Sequence, residues 1–149
     1  MKRFYYERNA IIRVEDRKGT AMYKLLILDD EPIILDGLKH ILNWNELGFD
    51  IVATASDGLE GLEKIQEQTP DFVITDIRMK FMDGLTFIKE AKSVHPGIMF
   101  VVLSAFSDFE YAKESIQLGV YNYILKPVDR STENHRDGNF FSKSIIKGY

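Results

Sequence analysis

The sequence predicts an α/β protein built on a doubly wound, five-stranded parallel sheet. Two observations predict it. Along the centre of the chain, short apolar runs alternate with segments of helical period, and strands that alternate with helices form right-handed βαβ units. The runs are also apolar on both faces, as strands are when helices cover the sheet on both sides.

The elements follow in order. The first strand is KLLIL (24–28), which runs into Asp29, Asp30 and Glu31. Pro32 then suits a first helical turn, and Ile34, Leu35, Leu38, Ile41 and Leu42 fall on one helical face. Trp44 is placed to pack the end of that helix. The second strand is DIVATA (50–55). Asp57 with Glu60 three residues on is a capping-box pattern for a second helix burying Leu59, Leu62 and Ile65. FVIT (72–75) is the third strand and ends at Asp76. A third helix follows Asp83-Gly84, presents Leu85, Ile88 and Ala91, and is stopped by Pro96-Gly97. IMFVVL (98–103) is the fourth strand. Ser107 with Glu110 opens a fourth helix, carrying Phe109, Ala112 and Ile116 toward Gly119, and YNYIL (121–125) is the fifth strand.

The bulk composition excludes several functions. The chain has 149 residues, room for one ordinary domain with a real core, and 45% hydrophobic with 28% charged residues marks it as globular. It has no cysteine, which excludes disulfide and thiol chemistry and fits a reducing compartment. The longest apolar runs, LLIL and IMFVVL, fall far short of the ~20 residues of a membrane span. The basic N-terminus lacks the continuous apolar stretch of a signal peptide. Residues 1–22 carry six basic and three acidic groups, whereas residues 23–130 carry ten and eighteen. Nucleic-acid binding needs clustered Lys and Arg, so the central segment is not expected to contact DNA. His40, His95 and His135 lie too scattered for a metal site and are read as surface residues.

In doubly wound sheets ligands sit beyond the carboxyl ends of the strands, where strand order reverses. Here those ends carry chemistry: Asp29 and Asp30 after the first strand, Asp76 after the third, Ser104 after the fourth and Lys126 after the fifth. Carboxylates ~4 Å apart in a partly buried site repel by roughly 4 kcal/mol at an effective dielectric near 20. The cluster therefore calls for a cation, and hard oxygen ligands suit Mg2+.

LLILDDEP, VITDIRM followed by MDGL, VVLSA and YILKP, in this order and spacing, resemble the receiver domain of two-component response regulators over about residues 23–130. NWNELGFDIV and LSAFSDFEYAKESIQLG resemble receivers joined to AraC-type helix-turn-helix output domains. The resemblance implies a flavodoxin-like strand order 2-1-3-4-5 and a cytoplasmic signalling protein that is not an enzyme. Asp76 matches the phosphoacceptor for a sensor histidine kinase. Asp29 and Asp30 match the acidic pair holding Mg2+, completed by Asp76 and the backbone carbonyl of Arg78. Ser104 matches the hydroxyl that moves onto a phosphoryl oxygen, and Lys126 the cation paired with the phosphoryl charge, its peptide bond to Pro127 cis. Tyr123 matches the aromatic switch that turns inward when Ser104 moves. A DNA-binding domain is expected in a full-length relative, and homodimers are a further expectation.

Each residue also has a plainer reading. Asp76 could cap a loop, Ser104 could be a turn hydroxyl, Lys126 a solvated charge and Tyr123 core packing; it is their convergence on one sheet edge that favours the site. Two other classes share the architecture. A flavodoxin-like FMN carrier needs hydroxyls and amides where the first strand ends, and three acids there would repel the FMN phosphate. A haloacid-dehalogenase-type phosphatase needs a second Asp two residues after the first, where this chain has Glu31.

The chain departs from the receiver pattern in three places. The loop after Asp76 reads MKFMDG rather than MPGMDG, so Lys80 and Phe81 replace proline and glycine. Residues 1–22 form an N-terminal extension expected to be disordered. After Asp129 the polar RSTENHRDGN stands where a fifth amphipathic helix belongs, so that helix is expected to be missing or replaced within a divergent tail, 131–149. On this reading the chain is a fragment, a frameshifted product or a diverged single-domain receiver without a DNA-binding output.

Overall fold

A computed structural model describes residues 22–105 and 109–126. The expectations for the N-terminal extension, Ser107, the Lys126–Pro127 peptide bond, His135, the fifth helix and the tail fall outside the described residues, as does the boundary at 130.

The described chain runs β1 (Tyr23–Leu28), α1 (Pro32–Ile41), β2 (Phe49–Ala55), α2 (Gly58–Gln68), β3 (Phe72–Thr75), α3 (Gly84–Val94), β4 (Met99–Ser104), α4 (Phe109–Leu118) and β5 (Asn122–Leu125). The five strands form one parallel sheet in the order β2-β1-β3-β4-β5, the predicted architecture. Because successive side chains alternate between faces, the strands feed two cores. Leu26, Leu28, Val73, Phe100 and Val102 pack with Ile65, Phe87, Ile88 and Ala91 of α2 and α3. Leu25, Ile27, Ile74, Val101 and Leu103 pack on the other face with Leu38 of α1 and with Trp44.

Local chemistry fixes where the helices begin. Pro32 occupies the first turn of α1, where its missing N–H costs nothing. Asp57 caps α2 by accepting from the Glu60 N–H, and Glu60 Oε1 in turn accepts from the Ser56 N–H at 2.8 Å, so the predicted box closes one residue further back. Asp83 caps α3 through the Thr86 N–H at 2.8 Å. Trp44 ends the α1 region as expected, its indole N–H donating to the Leu38 carbonyl at 2.9 Å.

Three predicted faces need correction. Leu59 is 52% exposed, because glycines 58 and 61 present the close face of α2 to its neighbours. On α4, Phe109 and Ile116 are each 72% exposed; Tyr111 and Leu118 pack on the core instead, flanking the fully buried Ser115. The Ser115 hydroxyl donates to the Tyr111 carbonyl at 2.8 Å, which satisfies it within its own helix and lets a polar residue take a core position. His95 is half-buried rather than on the surface. Its backbone N–H ends α3 on the Ala91 carbonyl, and its Nε2 is buried without a hydrogen-bond partner.

Candidate functional site

The sheet register assembles the site. β1 pairs with β3 so that Leu28 lies beside Thr75, which puts the next residues, Asp29 and Asp76, side by side where the strand order reverses. β4 pairs with β5 so that Ser104 lies beside Leu125, and the Lys126 N–H donates to the Ser104 carbonyl at 2.9 Å. Four strand ends thus converge, as the sequence predicted.

Asp29 is 1% exposed and Asp76 8%, a degree of burial that carboxylates tolerate only when partnered. The partner is Lys126. Its ammonium donates to Asp29 Oδ2 at 2.8 Å and to Asp76 Oδ2 at 3.0 Å. The other oxygen of each carboxylate accepts from backbone, Asp29 Oδ1 from the Glu31 N–H at 3.0 Å and Asp76 Oδ1 from the Ile77 N–H at 2.7 Å. Burial raises the pKa of Asp76 above the ordinary aspartate value, and the Asp29 charge adds to this; Lys126 pulls the other way without prevailing. Burial alone would lower the pKa of Lys126, but its bonds to Asp29 and Asp76 outweigh that and hold it raised.

Asp30 completes the cluster from a half-buried position. One carboxylate oxygen from each of Asp29, Asp30 and Asp76 lies within 4.8 Å of the others, so the three form a group that can hold a metal ion. All the side-chain donors are hard oxygens, and a cation among them would relieve the repulsion that the single ammonium of Lys126 offsets only in part.

Ser104 is fully buried at the end of β4. Tyr123, on β5 beside Val102, is half-buried and packed on the α2–α3 side of the core. Arg78 sits two residues after Asp76 with its side chain reaching α4: Nε donates to the Tyr111 hydroxyl at 3.0 Å, and the guanidinium carbon lies 5.5 Å from the Tyr111 ring centroid. Tyr111 was not singled out by the sequence. Its only signal there is an aromatic on α4, off the face marked by Phe109, Ala112 and Ile116.

The connection from β3 to α3 is held close to Asp76. The Gly84 N–H donates to the Ile77 carbonyl at 2.7 Å, and a Cβ at Gly84 would stand 2.0 Å from the Asp76 carbonyl oxygen, so no other residue fits there without moving the Asp76 backbone. Phe81 has a φ of 62° and is 83% exposed. The backbone therefore keeps the conformation a glycine would favour at that place, although the side chain has changed.

A sequence profile of the response regulator receiver domain matches residues 25–134. The chain belongs to the response regulator receiver family. It is 50% identical over 106 residues to the uncharacterized transcriptional regulatory protein YesN of Bacillus subtilis, an alignment covering 71% of this chain and 29% of YesN. The chain therefore spans less than a third of that relative. Among solved structures, the receiver domain of AraT, a response regulator from Geobacillus stearothermophilus, is 37% identical with a TM-score of 0.72, covering 84% of this chain and 95% of that one. A CheX–CheY complex with BeF3 and Mg2+ from Borrelia burgdorferi is 27% identical with a TM-score of 0.68, covering 84% and 98%. Among the described residues of this receiver, no helix is long and apolar enough to cross a membrane.

Proposed function

We propose that this receiver accepts a phosphoryl group on Asp76 from the phosphohistidine of a sensor histidine kinase, in the cytoplasm, and that the modified form regulates transcription. The observation that carries the reading is the Lys126 ammonium bridging Asp29 and Asp76 at 2.8 and 3.0 Å. That contact places a fixed cation beside a buried carboxylate, where the charge of a transferring phosphoryl group develops.

In this reading Asp29, Asp30 and Asp76, with the backbone carbonyl of Arg78, would hold Mg2+, which when bound supplies neutralising charge for the phosphoryl oxygens. A carboxylate oxygen of Asp76 forms the new bond to phosphorus while the bond to the kinase imidazole breaks, its electron pair returning to the imidazole nitrogen. The step needs no general base because the carboxylate reacts ionised. Lys126 pairs with the incoming charge, and the Ser104 hydroxyl donates to a phosphoryl oxygen. The product adds roughly two negative charges and three strong acceptors. Movement of Ser104 and Lys126 toward them draws on the loops after β4 and β5, with Tyr123 turning inward to follow Ser104.

The relative YesN is by name a transcriptional regulatory protein and extends well beyond the matched region. This supports an output carried by a separate domain. Its AraC-type helix-turn-helix class rests on the sequence resemblance alone, and the acidic balance of residues 23–130 argues against DNA contact by the receiver itself. The test is intact-mass spectrometry after incubation with acetyl phosphate and Mg2+. One phosphoryl group is expected on the wild-type chain and none on Asp76→Asn; equal labelling of the variant would place the acceptor elsewhere.

A further inference from the structure

We infer that Tyr111 is a positioning residue for the phosphoacceptor site, acting through Arg78. The inference rests on the proposed metal role of the Arg78 carbonyl.

The segment between β3 and α3 is tethered to backbone at both ends. Ile77 is fixed by the Gly84 N–H on its carbonyl at 2.7 Å, and Met82 by the Gly58 N–H on its carbonyl at 3.2 Å. Arg78 lies between those tethers and is exposed, yet its side chain is held in two ways by one partner: the Nε–H donates to the Tyr111 hydroxyl, and the guanidinium lies over the Tyr111 ring. A planar guanidinium that both donates to the hydroxyl and lies within cation–π range of the ring is pre-organised in a way a lysine is not.

The far end of this strut is anchored on the core. Tyr111 packs on the core with Leu118, and one turn on, the buried Ser115 binds the Tyr111 carbonyl. The first turn of α4 is thereby joined to the residue whose carbonyl would face the metal, across 33 positions of sequence. A ligand that fixes that carbonyl favours the α4 placement that keeps the strut, and by linkage α4 affects the ligand's affinity equally. Phe109 and Ile116 project from the same helix into solvent, so a shift of α4 changes what the surface presents.

The test uses the whole chain in four forms: wild type, Tyr111→Phe, Arg78→Ala and the double variant. Calorimetric titration with Mg2+ should show about a two- to fivefold weaker dissociation constant for Tyr111→Phe, which keeps the ring and loses only the acceptor hydroxyl. The same change in the Arg78→Ala background should have no further effect. A structural role alone would not give this non-additivity. Hydrogen exchange across residues 109–118 should slow on adding Mg2+ in the wild type and respond less in Tyr111→Phe. A wild type that binds Mg2+ with a Tyr111→Phe variant that matches it in affinity and exchange overturns the strut alone. A wild type that binds no Mg2+ overturns both the strut and the site reading beneath it.

Discussion

Lys126 and Asp76, fifty positions apart in sequence, meet at 3.0 Å, and the same ammonium also holds Asp29. A cation so placed has two effects: it stabilises the metal-free fold, and it competes with a metal for the same carboxylates. Lys126→Met should therefore lower metal-free stability by about 3 kcal/mol, because it strands two buried carboxylates. It should also increase the gain in melting temperature on adding Mg2+. Thermal unfolding in EDTA and in Mg2+ checks both; a smaller Mg2+ gain in the variant than in wild type would contradict the competition.

Asp76 itself should be a cost to the metal-free protein near neutral pH. Its folded pKa lies above the ordinary 3.8, chiefly because burial disfavours the charged form. A carboxyl raised in this way contributes stability at low pH and loses that contribution as pH climbs from 3.8 through the raised value. Asp76→Asn stays neutral throughout. In EDTA the variant should match wild type at about pH 3 and exceed it increasingly toward about pH 7. Melting temperatures across that range give the answer, and a variant advantage that shrinks with rising pH would reverse the sign.

Asp30 is the one member of the acidic cluster that Lys126 does not hold in the geometry given above. Asp30→Ala should therefore weaken Mg2+ binding severely and leave metal-free stability equal or higher, since it removes one repelling charge. Equal Mg2+ stabilisation of the variant and wild type would exclude a metal role for Asp30.

Most of the fold and of the site's geometry was legible because each piece has a local cause. Apolar runs of four to seven residues bounded by turn signals mark the strands, and acids at their carboxyl ends mark the site, since a parallel sheet delivers strand ends to one edge. Burial on α4 was not legible. Phe109, Ala112 and Ile116 have the right spacing for a face, but α4 turns Tyr111, Ser115 and Leu118 to the core and leaves Phe109 and Ile116 exposed. Ser115 is tolerated there because its hydroxyl is satisfied within its own helix. The Arg78–Tyr111 contact was hidden for a different reason: it joins two side chains 33 positions apart through a loop conformation that no periodicity encodes. Phe81 shows the converse, a familiar backbone turn preserved under an unfamiliar side chain.

The last prediction concerns the face of the sheet beside α1. A groove of about 220 Å³ lies there, lined by Ile33, Ile34, Gly37, Leu38, Ile41, Leu103 and Lys126. The lining is almost wholly apolar, and Lys126 is where the chain passes toward the tail. A fifth amphipathic helix there would bury some four apolar side chains at ~1.5 to 3 kcal/mol each, roughly 6 to 12 kcal/mol, set against the ~5 to 15 kcal/mol stability of a whole domain. The polar sequence from Arg130 to Asn139 lacks the apolar period such a helix needs. Phe140, Phe141, Ile145 and Ile146 are the nearest substitutes, but at helical spacing only Phe141 and Ile145 share a face, so they should fill the groove poorly. The expected protein melts early, exchanges amides readily across residues 139–147 and associates through surfaces other than the family's usual dimer face. Hydrogen exchange with thermal unfolding and sedimentation tests all three. Strong protection of 139–147 in a monomer stable above about 60 °C, toward the top of the usual range for mesophilic domains, would show that the tail does the work of the helix.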